Sequence, residues 1–241
     1  MAVDHQTARE RLIVAIDVPT ADAALDIAGR LDGLVGMLKV GLELFVAEGP
    51  AVVRRIRERF PELGIFLDLK LHDIPNTMCG AIRSIRELGV RFVTVHAGSG
   101  TAHLRACVEE AGDALGILAV TVLTSQDEQA CREAGHTRTA GDLVEMRAVC
   151  AREAGCVGIV CSGEELARVR TVAPKLYRVV PGIRSSGVDH GDQKRVMTPA
   201  RAVLEGANYI VVGRAIVRAP DPAYAARTIV EELDEVTRSP D

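Results

Sequence analysis

The sequence predicts one (β/α)8 barrel. Three observations carry that reading: eight short β-branched runs, longer helical patterns between them, and polar or charged residues where several runs end. The runs are RLIVAID (11–17), GMLKV (36–40), GIFLDLK (64–70), RFVTVH (91–96), GILAVTVL (116–123), CVGIVC (156–161), LYRVVP (176–181) and NYIVVG (208–213). Between them lie helical stretches such as TADAALDIAGRL, GPAVVRRIRERF, TMCGAIRSIREL, TAHLRACVEEA and GDLVEMRAVCAREAG. In the last, Leu143, Met146, Val149 and Cys150 are expected on one apolar face. Strand–helix repetition implies parallel pairing with right-handed crossovers. Eight such units in a chain of 241 residues fit a barrel. An open doubly wound sheet is the runner-up, but no G-x-G-x-x-G follows the first strand. No linker or low-complexity segment divides the chain, so residues 1–241 are expected to form one domain, with residues 1–10 a polar N-terminal extension.

Composition narrows the function. Apolar residues make up 48 % of the chain, enough for a large core. A net charge of −4, 3 % aromatics and no Trp argue against a nucleic-acid partner. The six cysteines contain no C-x-x-C pair and read as small core residues in a reducing compartment. No signal-peptide core opens the chain, and its longest apolar stretch, near GILAVTVL, is too short to span a bilayer. A soluble cytoplasmic protein without a membrane partner is expected.

In a (β/α)8 barrel, catalytic groups come from the C-terminal ends of several strands. Here strand one ends in Asp17, strand two in Lys39, and strand three in Asp68 and Lys70. His96 ends strand four and Thr124 follows strand five. Strand seven leads into Pro181-Gly182-Ile183-Arg184, and strand eight into Gly213-Arg214. Residues 64–77, GIFLDLKLHDIPNT, are the densest part. Alternation points Asp68 and Lys70 one way, opposite to Leu67, Leu69 and Leu71. Taken alone, Asp68-x-Lys70 reads as a buried structural ion pair. Charged ends on five strands at one rim favour a site instead.

VVGRAIV (211–217) suits a phosphate: Gly213 lets backbone N–H groups approach, and Arg214 can clamp an oxyanion bidentately. The bland alternative is a surface arginine at a turn. GIRSSGVDHGDQKRVMTP (182–199) is long enough to act as a lid bringing Gln193 to a substrate; the alternative is a tolerated insertion. His96 reads equally as a base or a core histidine, and His72 as a rim group or a turn-orienting one; neither is assigned a role. Asp68, Asp73 and His72 form a conceivable metal set, but Lys39 and Lys70 at the same rim would repel a divalent cation. A site without metal or cofactor is expected.

DLKLHDIPNT (68–77), AIDVP (15–19), LKVG (38–41), TVLTS (121–125), PGIR (181–184), GDQKRVMTP (191–199) and VGR (212–214) together closely resemble the bacterial orotidine 5′-phosphate decarboxylase family, in order, from about residue 12 to 230. D-x-K-x-x-D alone marks a wider suprafamily; its combination with Lys39, Gln193 and Arg214 is specific. The resemblance implies cofactor-free conversion of orotidine 5′-phosphate to UMP, the last step of de novo pyrimidine synthesis, by a homodimer with shared sites. It makes Lys70 the proton donor to pyrimidine C6 and sets Asp68 against the substrate carboxylate. Lys39 would hold Asp68 and a ribose hydroxyl, and Asp17 would bind ribose. Asp73 and Thr77 would enter the neighbouring subunit's site. Thr124 would face the base and Pro181 line its pocket. Arg184 would lie near the phosphate, which Gln193, Gly213 and Arg214 would bind. Two alternatives stand beside this. A metal-dependent sugar-phosphate decarboxylase or aldolase would need an acidic ligand where this chain has Lys39. A catalytically silent nucleotide-binding barrel would have no need of four buried charges.

Overall fold

A computed structural model describes residues 6–184 and 197–238. Among these residues, eight parallel strands close into a barrel in sequence order. They are β1 (Leu12–Ala15), β2 (Met37–Gly41), β3 (Gly64–Leu71), β4 (Phe92–His96), β5 (Gly116–Val120), β6 (Gly158–Val160), β7 (Tyr177–Val180) and β8 (Tyr209–Val212). β1 pairs with β8 through Leu12–Ile210, Ile13–Val211 and Val14–Val212, which closes the ring. The major crossover helices are Ala21–Leu31, Pro50–Arg59, Pro75–Arg86, Thr101–Ala111, Ala140–Ala154, Leu166–Val172, Pro199–Leu204 and Pro222–Arg238. The open-sheet alternative is excluded by the closed ring. Every predicted strand is present; most ends are trimmed by one to three residues where the chain turns into a loop, while β2 and β3 each run one residue further than predicted.

Alternation along the strands divides the apolar residues into two cores. One set faces outward and packs beneath the helices, among them Val14, Leu38, Leu67, Val93, Ala119 and Ile210. The other fills the barrel: Ile13, Ala15, Met37, Phe66, Phe92, Leu118, Val179, Tyr209 and Val211. Its lower part is an aromatic plug, with Phe92 and Tyr177 both edge-on to Tyr209, at ring-centroid distances of 5.7 and 5.5 Å. Arg91 Nη2 donates to Tyr209 Oη at 3.0 Å. Two residues further along the same inward faces of β2, β3 and β4 stand Lys39, Asp68 and Thr94, so a polar layer lies directly above the apolar one on these strands.

Cys107, Cys131, Cys156 and Cys161 are buried, Cys79 and Cys150 are half-buried, and all six are free thiols. Burial pushes the Cys156 thiol up to about 12 and the Cys107 thiol up to about 11, which keeps both protonated and inert. The expected face of helix Ala140–Ala154 needs correction. Met146 is exposed, and the buried side is Ala140, Leu143, Val144, Arg147, Ala148, Ala151 and Ala154. Arg147 takes a core position because its Nη1 donates to Thr121 O at 2.5 Å, a backbone acceptor that the sequence pattern does not reveal.

Candidate active site

The charged centre is built on β2 and β3. Asp68 Oδ2 accepts from Lys70 Nζ at 2.7 Å and faces Lys39 Nζ at 3.7 Å. Lys39 Nζ also donates to Asp17 Oδ1 at 3.1 Å, just beyond β1. The side chains of Lys39 and Asp68 are only 11 % and 12 % exposed, so water screens their attraction weakly. Gly41 makes room for the outer pair. A Cβ there would stand 2.8 Å from Lys39 Nζ and 2.9 Å from Asp17 Oδ1.

Lys70 is the one non-glycine among the described residues with positive φ, at 48°. The cause lies in the β3–β4 register, which shifts between Leu67, opposite Val93, and Leu71, opposite Val95. Three β3 residues therefore face the single residue Thr94. Thr94 bridges the gap: its Oγ1 accepts from Lys70 N at 2.8 Å and donates to Asp68 Oδ1 at 2.9 Å. Asp68 thus presents one oxygen to a hydroxyl and the other to two ammonium groups.

These groups border a cavity of about 470 Å³. Ala15, Phe66, Val160 and Val211 give it an apolar floor, and Asp17, Lys39, Asp68 and Lys70 line one part of its wall. Thr124, Pro181, Gly182, Arg184, Gly213, Arg214 and Arg218 also line it. The stem of the long strand-seven loop is held at this mouth, where Arg184 N donates to Met197 O at 3.0 Å. The cavity can accept a ligand with an anionic end near the arginines and a reacting end at Lys70.

Of the predicted residues, the cavity brings together Asp17, Lys39, Asp68, Lys70, Thr124, Pro181, Arg184, Gly213 and Arg214. Asp73 and Thr77 are not among its lining. Asp73 Oδ1 instead accepts from Ile74 N at 2.6 Å, and Asp73 lines a separate open concavity with His72, Ile74, Pro75, Ser99 and His103. Thr77 is exposed in the first turn of helix Pro75–Arg86. Gln193 lies outside the described residues.

Among the described residues, no histidine lines the cavity. His72 stacks on His96 with ring centroids 5.2 Å apart, and His72 Nε2 lies 2.7 Å from Ser99 Oγ. Burial, then the Arg147 guanidinium, His72 and Lys70, push His96 down to about 4, so its ring is neutral at physiological pH. Among the described residues, no three His, Cys, Asp or Glu side chains are grouped to hold a metal ion.

Sequence reasoning missed Thr94, Glu43, Ser125 and Arg218 at this site. Thr94 had a signal, being polar and inward within the apolar run FVTVH. Arg218 stands four residues after Arg214, one helical turn on, at the C-cap of helix Arg214–Val217. Ser125 ends the motif TVLTS but was given no role, and Glu43 carried no motif.

The profile of the orotidine 5′-phosphate decarboxylase / HUMPS family matches residues 10–229. The chain is 48 % identical over 239 residues to the orotidine 5′-phosphate decarboxylase of Moorella thermoacetica, covering 95 % of this chain and 94 % of that one. It is 51 % identical over 227 residues to the orotidine 5′-phosphate decarboxylase of Anaeromyxobacter dehalogenans, covering 93 % and 98 %. The crystal structure of orotidine 5′-phosphate decarboxylase from Lactobacillus acidophilus superposes with a TM-score of 0.82 at 32 % identity, covering 92 % of this chain and 98 % of that one. With the family profile spanning most of the barrel and relatives near half identity along nearly its whole length, this chain belongs to the orotidine 5′-phosphate decarboxylase / HUMPS family.

Proposed function

We propose that this chain decarboxylates orotidine 5′-phosphate to UMP in the cytoplasm, without metal or organic cofactor. The observation that carries the reading is Asp68 between two lysines, 2.7 Å from Lys70 Nζ and 3.7 Å from Lys39 Nζ, in a cavity that arginines also line. The relatives' names supply the substrate.

In the proposed reaction the bond from pyrimidine C6 to the carboxylate carbon breaks. Its electron pair stays on C6, and CO₂ leaves. The Lys70 ammonium then gives a proton to C6, and water reprotonates the amine. The C6 carbanion has little delocalisation, so a fixed cation beside it is the main source of stabilisation. At about 4 Å and an effective dielectric near 20, one charge pair is worth ~4 kcal/mol before desolvation. Lys39 adds to that by holding Asp68 and Asp17, so the charges are set before substrate arrives. Asp68 lies against the substrate carboxylate and Asp17 against ribose, with Lys39 reaching a ribose hydroxyl. Thr124 faces the base, and Pro181 lines its pocket. Arg184, Gly213 and Arg214 take the phosphate, with Gln193 added from the strand-seven loop. Phosphate binding far from C6 supplies energy for enclosing the reacting end.

The unit of function is a homodimer in which Asp73 and Thr77 complete the neighbour's site. Their position outside their own cavity supports this, as do the exposed apolar side chains Ile74, Leu42 and Val46. A metal-dependent sugar-phosphate lyase is disfavoured because Lys39 ammonium stands between Asp17 and Asp68, where a cation's acidic ligand would be needed. The test is incubation with orotidine 5′-phosphate in EDTA, following substrate absorbance and UMP. Stoichiometric UMP is expected. Activity that EDTA abolishes and Mg²⁺ restores would sink the reading in favour of the metal-dependent enzyme.

A further inference from the structure

Thr94 is fully buried, yet neither of its side-chain hydrogen bonds is a backbone rung of the β3–β4 ladder. A hydroxyl has one hydrogen to give. Lys70 N–H only donates, so Thr94 Oγ1 accepts there and its single hydrogen goes to Asp68 Oδ1. The two bonds are therefore ordered, running from the Lys70 amide through the hydroxyl to the Asp68 carboxylate. They fall where three β3 residues face one β4 residue, and where Lys70 adopts φ 48°. A regular strand would offer the Lys70 amide a backbone partner; here a side chain replaces it.

We infer that Thr94 is a positioning residue that sets Asp68 and Lys70 together. It holds the left-handed Lys70 backbone that brings Nζ to Asp68, and it occupies Oδ1 so that Oδ2 faces both ammonium groups. It acts through those two residues and lies outside the cavity lining. The inference rests on the proposed decarboxylation for its kinetic arm only.

Thr94→Val keeps the branched shape and removes the hydroxyl, leaving the Lys70 amide without a partner. Thr94→Ser keeps the hydroxyl. With orotidine 5′-phosphate, Thr94→Val should lose about 10- to 100-fold in kcat, because small misplacements of reacting groups are costly. Its KM and UMP affinity should stay within about threefold of wild type, since the phosphate end is untouched. Thr94→Ser should recover most of the lost kcat. Unchanged kcat in Thr94→Val, or equal losses in Val and Ser, would overturn the role. Should Thr94→Val not fold, Thr94→Ala is read the same way. Crystal structures of wild type and variant give a readout independent of turnover. Lys70 should leave the left-handed region, or Asp68 should rotate off Lys70 Nζ. Unchanged geometry at both would overturn the role even where the kinetics moved. A wild-type chain that fails to decarboxylate would instead overturn the proposed function, with Thr94 still judged by the structures.

Discussion

Lys70 grips Asp68 from two residues away on the same strand, with Nζ 2.7 Å from Oδ2 and the Lys70 backbone at φ 48°. A lysine held in the left-handed region costs about 1–3 kcal/mol, and such strain persists only where surrounding bonds over-determine it. Here they do, through Thr94 on the Lys70 amide and on the Asp68 carboxylate. The strain falls on the residue proposed to donate the proton.

The outer pair is tested through the glycine beneath it. Gly41→Ala would press a methyl group against Lys39 Nζ and Asp17 Oδ1. Both are ends of flexible side chains, so the fold should yield little, with Tm moving by less than about 3 °C. kcat/KM should fall about tenfold or more as the pair is displaced. Steady-state kinetics beside thermal unfolding separates the two effects; wild-type kcat/KM would show that the Lys39–Asp17 geometry is not used.

Arg214→Ala should raise KM strongly, with some loss of kcat if phosphate binding helps enclose the site. The decisive comparison is orotidine, which has no phosphate. Arg214→Ala should leave its slow turnover within about twofold of wild type. An equal loss on both substrates would remove Arg214 from phosphate binding.

Burial of neutral His96 ties stability to pH. Its folded value is about 4, against about 6.5 unfolded. Between those values the unfolded chain holds the extra proton, so stability falls as pH drops through that window. His96→Gln should therefore lose less stability than wild type between pH 7.5 and pH 5. Urea midpoints at both pH values measure this, and parallel losses in the two proteins would contradict it.

The proposed shared site predicts complementation. Lys70→Ala and Asp73→Asn chains, each inactive alone, give after random exchange dimers of which about half are mixed. Each mixed dimer would have one site with neither substitution, so about a quarter of wild-type activity should appear. Native mass spectrometry confirms exchange. Mixed dimers with no recovered activity would mean that Asp73 acts in its own subunit.

The barrel was legible in the sequence because alternation and strand–helix order are local signals that closure only completes. So were Lys39, Asp68 and Lys70, which break apolar runs at strand ends. Alternation placed Asp68 and Lys70 on one side of β3, but the shifted register and positive φ at Lys70 were hidden because they depend on pairing with β4. Met146 and Arg147 exchanged their expected places for a similar reason: the Thr121 carbonyl that accepts from Arg147 belongs to another element. Thr94 was overlooked because a threonine suits any strand, and only its neighbours reveal its bonds.

Protonation of C6 by the Lys70 ammonium is decided by the turnover of Lys70→Ala on orotidine 5′-phosphate. Its kcat should fall on the order of 10³-fold or more, with the chain folded and UMP affinity within about tenfold of wild type. A folded Lys70→Ala protein with near-normal kcat would contradict it.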